Sequence, residues 1–171
     1  GKSLQAILSM YQNSDVFIFA DRAQLDLNQT QHIKSYLNQH SVDVIVNCAA
    51  YTLVDQAESE KEIANQINHL SVKKLAEFAQ HSQIKLIHIS TDYVFDGFSS
   101  KPYTEDEATR PLSVYGTTKL QGEQAVQSTM DHNAFIIRTS WMYSEYGNNF
   151  VKTMLKLGQK KDQIDVIYDQ I

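Results

Sequence analysis

A tyrosine and a lysine four positions apart, Tyr115 and Lys119, are the first residues of this chain to consider for chemistry. Residues at that spacing lie on one face of a helix, so the phenol and the ammonium can act as a pair. The ammonium favours the phenolate, but moving a tyrosine pKa from about 10 to about 7 takes roughly 4 kcal/mol. One lysine does not supply that much, so a cationic cofactor ring or further hydrogen bonds are expected to help. Taken alone, the pair is more typical of an exposed amphipathic helix.

Two further clusters carry groups that suit a binding site. Ser90 and Thr91 follow the buried run 84–89, and either hydroxyl could hold a substrate oxygen, with Thr91 the first candidate. The alternative for this pair is a plain strand cap. Another cluster, at 47–52, contains small residues that would let a flat ring approach the backbone. The alternative there is a tight strand exit packed under a helix.

The elements that must position these clusters alternate along the chain. Runs of β-branched residues predict strands at 15–19, 43–48, 84–89 and 134–139 and the beginning of another at 165–168. Apolar residues at spacings of three and four predict helices at 3–11, 30–39, 63–78, 113–128 and 148–157. This alternation, with nearly all-apolar strands, predicts an α/β fold with a parallel sheet covered on both faces. Right-handed crossovers make it a doubly wound, Rossmann-like sheet.

The three clusters fall where such a sheet binds its ligands, at the carboxyl ends of strands. Both prolines, Pro102 and Pro111, lie in the loop 92–112, which is long for a connection between a strand and a helix. Long ordered loops are often functional, so a functional role is expected for this loop.

The beginning of the chain departs from the usual pattern, which opens with a strand and a glycine-rich turn. Here Gly1 is followed directly by the helical segment 3–11. We therefore expect residues 1–171 to form a partial nucleotide-cofactor-binding domain that carries the catalytic motifs. It would lack the first strand of the sheet and most of the phosphate loop. Most of a C-terminal substrate region is expected to lie outside these residues.

Composition narrows the class of protein. Of 171 residues, 42% are hydrophobic, which is enough for a core and argues against disorder. The net charge of −5, without a basic block, argues against a nucleic-acid partner. No apolar run approaches the roughly 20 residues of a membrane span, and no signal peptide is recognisable. Cys48 is the only cysteine, which favours a reducing compartment, so a cytoplasmic protein is predicted.

The motifs taken together are more specific than any one of them. They are Asn-Cys-Ala-Ala-Tyr-Thr at 47–52, Ser-Thr-Asp-Tyr-Val-Phe-Asp-Gly at 90–97, Pro-Tyr-x-Glu at 102–105, Pro-x-x-x-Tyr-Gly-x-x-Lys at 111–119 and Arg-Thr-Ser-Trp at 138–141. Their order and spacing resemble the dTDP-4-dehydrorhamnose reductase family of extended short-chain dehydrogenases/reductases, over essentially the whole chain.

This resemblance implies reduction of the C4 keto group of dTDP-4-dehydro-L-rhamnose to give dTDP-L-rhamnose. A nicotinamide would deliver hydride, and Tyr115 would donate the proton to the carbonyl oxygen. Lys119 would lower the pKa of Tyr115 and bond the nicotinamide ribose, while Thr91 would orient the carbonyl. By the same resemblance, the residues near the dTDP-sugar substrate are Val54, Tyr93 and Trp141.

The resemblance also implies a cofactor site. Besides Tyr115 and Lys119, it would comprise Gly1 as the last glycine of the phosphate loop, Asp26 and Leu27 at the adenine, and Ala49, Ala50 and Tyr51. Asp21 is followed by Arg22, and an acidic residue favours NAD whereas an arginine accommodates the phosphate of NADP. NADPH is the first expectation, and NADH stays an alternative.

Several alternatives stay open at this point. Regulatory proteins without catalysis share the fold, as do epimerases and dehydratases. The three catalytic candidates favour an enzyme, and Thr91 is followed by Asp92 and Tyr93 rather than by the Asp-Glu pair of a dehydratase. Asn68 resembles a structural asparagine that braces such sites, or is an exposed polar residue of a helix. No metal ligands are assigned, and a homodimer is the assembly considered.

Overall fold

The fold was analysed in a computed structural model that describes residues 1–10 and 15–166. Its strands are β1 (Val44–Asn47), β2 (Lys85–Thr91) and β3 (Ala134–Thr139). Its α-helices are α1 (Lys2–Leu8), α2 (Gln31–Leu37), α3 (Val54–Ala57), α4 (Lys61–Asn65), α5 (Ser71–His81), α6 (Val114–Thr129) and α7 (Phe150–Gly158). A π-helical turn, Gln66–Leu70, joins α4 to α5, and a 3-10 turn, Asp92–Val94, follows β2.

The described strands form one parallel sheet in the order β1-β2-β3. Val44 pairs with Lys85 at one side of β2, and Leu86 pairs with Ala134 at the other. Each parallel connection runs through helices, as such crossovers require. The predicted α/β fold with a parallel sheet is confirmed.

The core lies on one face of this sheet. The central strand β2 turns Leu86 and His88 to that face, and α5 and α6 cover it. On α5, Val72, Leu75 and Ala79 recur at helical spacing and are buried. Other buried members of the core come from the segment before β1, namely Leu27, Ile33 and Leu37 of the loop and α2. Helices α5 and α6, the two longest that are described, therefore lie in one layer on the same face of the sheet.

The opposite face of the sheet carries exposed apolar side chains. Val44 and Val46 of β1 and Phe135 and Ile137 of β3 turn their side chains to that face and are exposed. Neither α1 nor α7 has a buried residue, so neither packs on these strands. Within residues 1–10 and 15–166, helices cover a single face of the Rossmann-like sheet, and the opposite face is open.

One predicted strand is not formed, and another lies partly outside the described residues. Residues 15–19 have no secondary structure, and Val16 is 89% exposed, because the segment pairs with no strand in the described part of the chain. A strand forms only with a partner for its backbone groups. At the predicted strand 165–168, the first two residues are irregular, and Ile167 and Tyr168 lie outside the described residues.

The predicted helices are found with different ends. Helix 3–11 corresponds to α1, with Tyr11 outside the described residues, and helix 63–78 is divided by the π-helical turn. The helices of the described part are all too short or too polar to cross a bilayer. In that same part, no group of three or more His, Cys, Asp or Glu side chains could hold a metal ion.

Candidate active site

Tyr115 lies in the first turn of α6, and two side chains fix that turn. Ser113 is the N-cap residue, and its Oγ accepts a hydrogen bond from the Gly116 amide at 3.0 Å. Glu58 Oε1 accepts from the Val114 amide at 2.8 Å. Both oxygens satisfy amides that have no partner inside the helix, and a carboxylate also suits the positive end of the helix dipole. The position of Tyr115 is thus set from outside its own helix.

Gly116 brings α6 against the 3-10 turn that follows β2. A Cβ atom at this position would lie 2.2 Å from the Tyr93 carbonyl oxygen, so only glycine allows the approach. The contact places the Tyr93 and Tyr115 rings edge to face, with centroids 5.5 Å apart. The end of β2 and the start of α6 therefore form one surface.

Lys119 is pinned beneath that surface. Its side chain is buried, and Nζ donates a hydrogen bond to the Ile89 carbonyl of β2 at 2.6 Å. Burial lowers the pKa of Lys119 to about 8, while the carboxylate of Glu123 acts in the opposite direction. The lysine is thus held at the sheet end with a proton that is easier to lose than usual.

Thr91 completes the site at the last position of β2. It is buried, its Oγ1 accepts from the Tyr93 amide at 3.2 Å, and the hydroxyl donates to Asp92 Oδ1 at 2.9 Å. Burial raises the pKa of Tyr115, a hydrogen bond with Thr91 lowers it, and the charges of Asp92 and Tyr93 raise it. The three predicted catalytic residues are brought together.

The electrostatics of Tyr115 differ from the sequence expectation. Lys119 is not among the groups that shift the pKa of Tyr115, and the net effect is a raised value. The reason is that Lys119 Nζ is directed to the Ile89 carbonyl. In the protein alone, Tyr115 is therefore a neutral phenol at neutral pH, which is the form that can donate a proton.

Asn68 braces the site from the π-helical turn. Its side chain is buried, Oδ1 accepts from the Tyr51 amide at 2.9 Å, and Nδ2 donates to the Tyr51 carbonyl at 3.1 Å. Nδ2 also lies 3.2 Å from Thr118 Oγ1, next to Lys119. One amide thus ties the segment after β1 to α6. The interpretation of Asn68 as a brace is confirmed, and the exposed alternative is wrong.

Comparison with known proteins agrees with this geometry. A family model described as the RmlD substrate binding domain matches residues 1–171. The chain belongs to this family.

Among its relatives, a dTDP-4-dehydrorhamnose reductase of Sinorhizobium fredii is 47% identical over 88% of this chain and 50% of its own length. A protein of the same name from Aggregatibacter actinomycetemcomitans is 42% identical over 100% of the chain and 58% of its own length. A crystal structure of dTDP-4-dehydrorhamnose reductase from Bacillus anthracis in complex with NADP superposes with a TM-score of 0.86 at 37% identity. It covers 94% of this chain and 57% of that one. The chain thus spans about half the length of the curated relatives it matches.

The other residues singled out in this RmlD-family chain divide into two groups. Tyr51 and Val54 pack against the small cluster that contains Tyr115, and with Tyr93 they border the catalytic residues. Trp141 instead packs edge-on against Phe150, with ring centroids 5.1 Å apart, and is exposed. The contacts therefore place three predicted residues at the site and associate Trp141 with α7.

Apart from Tyr115, Lys119 and Leu27, the residues predicted at the cofactor are exposed or partly buried. Gly1, Asp21, Arg22 and Ala49 are exposed, and Ala50 and Asp26 are partly buried. Leu27 is buried in the core, so its side chain is not available to a ligand, and its carbonyl accepts from the Ser71 hydroxyl. Leu27 is buried because the apolar side chains of the segment before α2 form part of the core.

The sequence did not predict the contacts of three further residues near the site, which are Glu58, Glu123 and Arg138. Glu58 caps α6, and Glu123 forms an ion pair with Arg138. Glu123 had a local signal, since it follows Lys119 by four positions and therefore shares its helix face. The partner of Glu58 lies 56 positions away, and no pattern in the sequence indicates such a contact.

Proposed function

We propose that this chain carries the catalytic residues and part of the cofactor site of an NADPH-dependent reductase. It would convert dTDP-4-dehydro-L-rhamnose to dTDP-L-rhamnose. The observation that carries the proposal is the convergence of Thr91, Tyr115 and Lys119 at the carboxyl end of β2. The relatives named dTDP-4-dehydrorhamnose reductase support the substrate. The related crystal structure, described as a complex with NADP, supports the cofactor.

The protein residues divide the work of carbonyl reduction. A reduced nicotinamide, when bound, supplies the hydride. Tyr115 holds a proton because burial raises its pKa, and it donates this proton to the carbonyl oxygen as charge develops there. Thr91 offers the same oxygen a hydrogen bond and so orients the carbonyl. Lys119 keeps a buried ammonium at the end of β2, where it can donate a hydrogen bond to the ribose of a bound nicotinamide.

The residues present fit a nicotinamide cofactor at the exit of β1. Ala49 and Ala50 have short side chains there, and Asn47 Oδ1 holds the Ala49 amide at 3.1 Å. A flat ring can approach such a backbone closely. Asn68 fixes the next residue, Tyr51, through both of its backbone groups. Asn68 also donates to Thr118, the neighbour of Lys119 on α6, so the exit of β1 is tied to the catalytic helix, which supports cofactor binding at this point.

The environment of Asp21 and Arg22 supports NADPH rather than NADH. The Asp21 carboxylate accepts hydrogen bonds from the Ala23 and Gln24 amides at 2.9 and 3.1 Å, so it is already engaged in a turn. The Arg22 side chain is 81% exposed, and its Nε lies 3.6 Å from Asp26 Oδ1. A weakly held, exposed arginine can turn to a phosphate, whereas an engaged carboxylate is less available to ribose hydroxyls.

The larger protein is part of the proposal. Residues 1–171 would be the partial cofactor-binding domain of a longer reductase, whose remaining length supplies most of the substrate region. The coverage of the relatives supports this extent. We further propose that the reductase works in the cytoplasm, and that a homodimer is the assembly to test. A dehydratase is less favoured because Tyr93, rather than a second carboxylate, follows Asp92.

Tyr115→Phe tests the proposed function in the full-length reductase. Loss of the proton donor is expected to reduce turnover by at least about 100-fold, with the dissociation constant for NADPH nearly unchanged. Turnover is measured as NADPH oxidation in the presence of the keto-sugar nucleotide. The matched control is Tyr143→Phe, since Tyr143 is exposed. Near wild-type turnover of Tyr115→Phe would contradict the assignment.

A further inference from the structure

The ion pair between Glu123 and Arg138 has no part in the proposed chemistry, yet it is one of the most buried charged contacts described. The side chain of Glu123 on α6 is 1% exposed and that of Arg138 on β3 is 22% exposed. Arg138 Nη2 donates to Glu123 Oε2 at 2.7 Å, and Nε donates to Oε1 at 3.1 Å. Burying two charges is costly, and a forked geometry of this kind offsets the cost.

The same guanidinium also contacts the long loop after β2. Its central carbon lies 5.0 Å from the centre of the Phe95 ring, which is the distance of a cation–π contact. Nη1 donates to the Glu105 carbonyl at 3.4 Å. Phe95 in turn stacks on Tyr103, with centroids 4.3 Å apart and ring planes 6° from parallel. Arg138 thus contacts both ends of the loop segment 95–105.

That loop segment is itself tied together by side chains. The Tyr103 hydroxyl donates to Asp96 Oδ1 at 3.0 Å and accepts from the Ser99 amide at 3.1 Å. Farther along, the Arg110 amide donates to the Val94 carbonyl at 2.9 Å. The loop therefore behaves as a small folded unit, and a contact to this unit can fix its position as a whole.

Both ends of the loop meet the catalytic residues. It begins directly after Thr91, and it ends at Ser113, which caps the turn that contains Tyr115. We propose that Arg138 is a positioning residue of the site. By binding Glu123 of α6 and the 95–105 segment at once, it keeps the strand end with Thr91 and the helix start with Tyr115 in register. The inference rests on the proposed function for its effect on turnover.

Arginine is required for this role by its shape. A planar guanidinium can donate two parallel hydrogen bonds to a carboxylate while one face lies on an aromatic ring. A lysine keeps the charge but has neither the fork nor the flat face. Arg138→Lys therefore separates the positioning role from the mere presence of a positive charge beside Glu123.

The experiment compares Arg138→Lys with the wild type in the full-length reductase. We expect kcat to fall about ten-fold, because a small misplacement of catalytic groups has effects of that order, with the dissociation constant for NADPH unchanged. The Ser99 amide, which reports on the loop through Tyr103, should exchange with solvent about ten-fold faster. Lys74→Gln is the control, since it removes an ion pair on the exposed face of α5 and should change neither quantity.

A second variant keeps the test valid if Arg138→Lys folds poorly. Glu123→Gln leaves the Phe95 and Tyr103 rings intact and removes only the charge that holds Arg138 to α6, and it should move kcat and Ser99 exchange in the same direction by about three-fold. Unchanged exchange or unchanged kcat in both variants would overturn the proposal. The exchange experiment needs no substrate, so it decides on the loop contact even if the wild type has no reductase activity, a result that would refute the proposed function instead.

Discussion

The two faces of the sheet differ in the side chains that they carry and in whether those side chains are covered. On the face under α5 and α6, polar side chains such as Asn68 and Lys119 are buried and hydrogen-bonded. Asn68 donates to the Thr118 hydroxyl, and Lys119 donates to the Ile89 carbonyl. On the other face, Val46 and Phe135 are apolar and exposed. The catalytic geometry is therefore set by contacts within one layer of the molecule. The second face adds apolar surface without contributing to the positions of the catalytic groups.

The largest expected effect is a difference in unfolding free energy between substitutions on the two faces. Leu86→Ala on β2 removes a fully buried side chain of the core, and it should lower the free energy of unfolding by about 2–5 kcal/mol. Val46→Ala on the exposed face should cost less than about 1 kcal/mol. Urea unfolding followed by circular dichroism measures both. Equal losses of unfolding free energy would mean that the exposed face is covered in solution. The two faces would then not differ in burial.

Lys119→Met should change the pH dependence of stability. Burial lowers the pKa of Lys119 to about 8, whereas an unfolded lysine has a pKa of about 10.4. Between these values unfolding takes up a proton, so wild-type stability rises with pH relative to the variant. At 1.36 kcal/mol per unit, the relative gain is at most roughly 3 kcal/mol.

Unfolding free energies of both proteins at pH 7, 8, 9 and 10 measure this difference, because other titrating groups cancel. The penalty for burying the charge is complete below pH 8 and is relieved as the pH rises towards 10.4. Lys160→Met, at an exposed lysine, is the matched control. A difference between Lys119→Met and wild type that does not vary with pH would show that Lys119 is not buried as described.

Gly122→Ala should have the smallest of these effects on stability and sharpen the comparison within the buried layer. A Cβ atom there would lie 2.2 Å from the Asn68 carbonyl oxygen, so α6 must move away from the π-helical turn. The expected cost is about 1–3 kcal/mol, together with lower turnover of the full-length reductase. Gly158→Ala in α7 is the control, since its nearest contact is 3.9 Å and alanine favours a helix. A neutral Gly122→Ala would refute the close packing.

Local signals predicted much of the fold. The β-branched runs gave the three strands of the sheet almost to the residue, because buried parallel strands are apolar throughout. The same signal at 15–19 predicted a strand that is not formed, because apolar residues alone do not provide a partner strand. The open face of the described sheet could not be predicted either, because the amphipathic pattern of α7 does not specify what the helix packs against.

The catalytic residues could be predicted because they belong to motifs, and their environment could not. Thr91, Tyr115 and Lys119 meet as expected. The direction of the Tyr115 pKa depends on its burial and on where Lys119 points, and neither is visible in a Tyr-x-x-x-Lys spacing. Arg138 was visible only as part of a motif, because its contacts with Glu123 and Phe95 depend on tertiary structure.

The π-helical turn Gln66–Leu70 shifts the rotational phase of the long helical segment. Eight positions of an uninterrupted α-helix separate Ala64 from Val72, and at about 100° per residue their side chains would point roughly 80° apart. A turn widened by one residue absorbs about 100°, which brings the two directions within about 20°. Both residues are in fact buried. Deletion of a single residue from this turn would restore a regular helix, and it would rotate α4 and everything before it away from Tyr115.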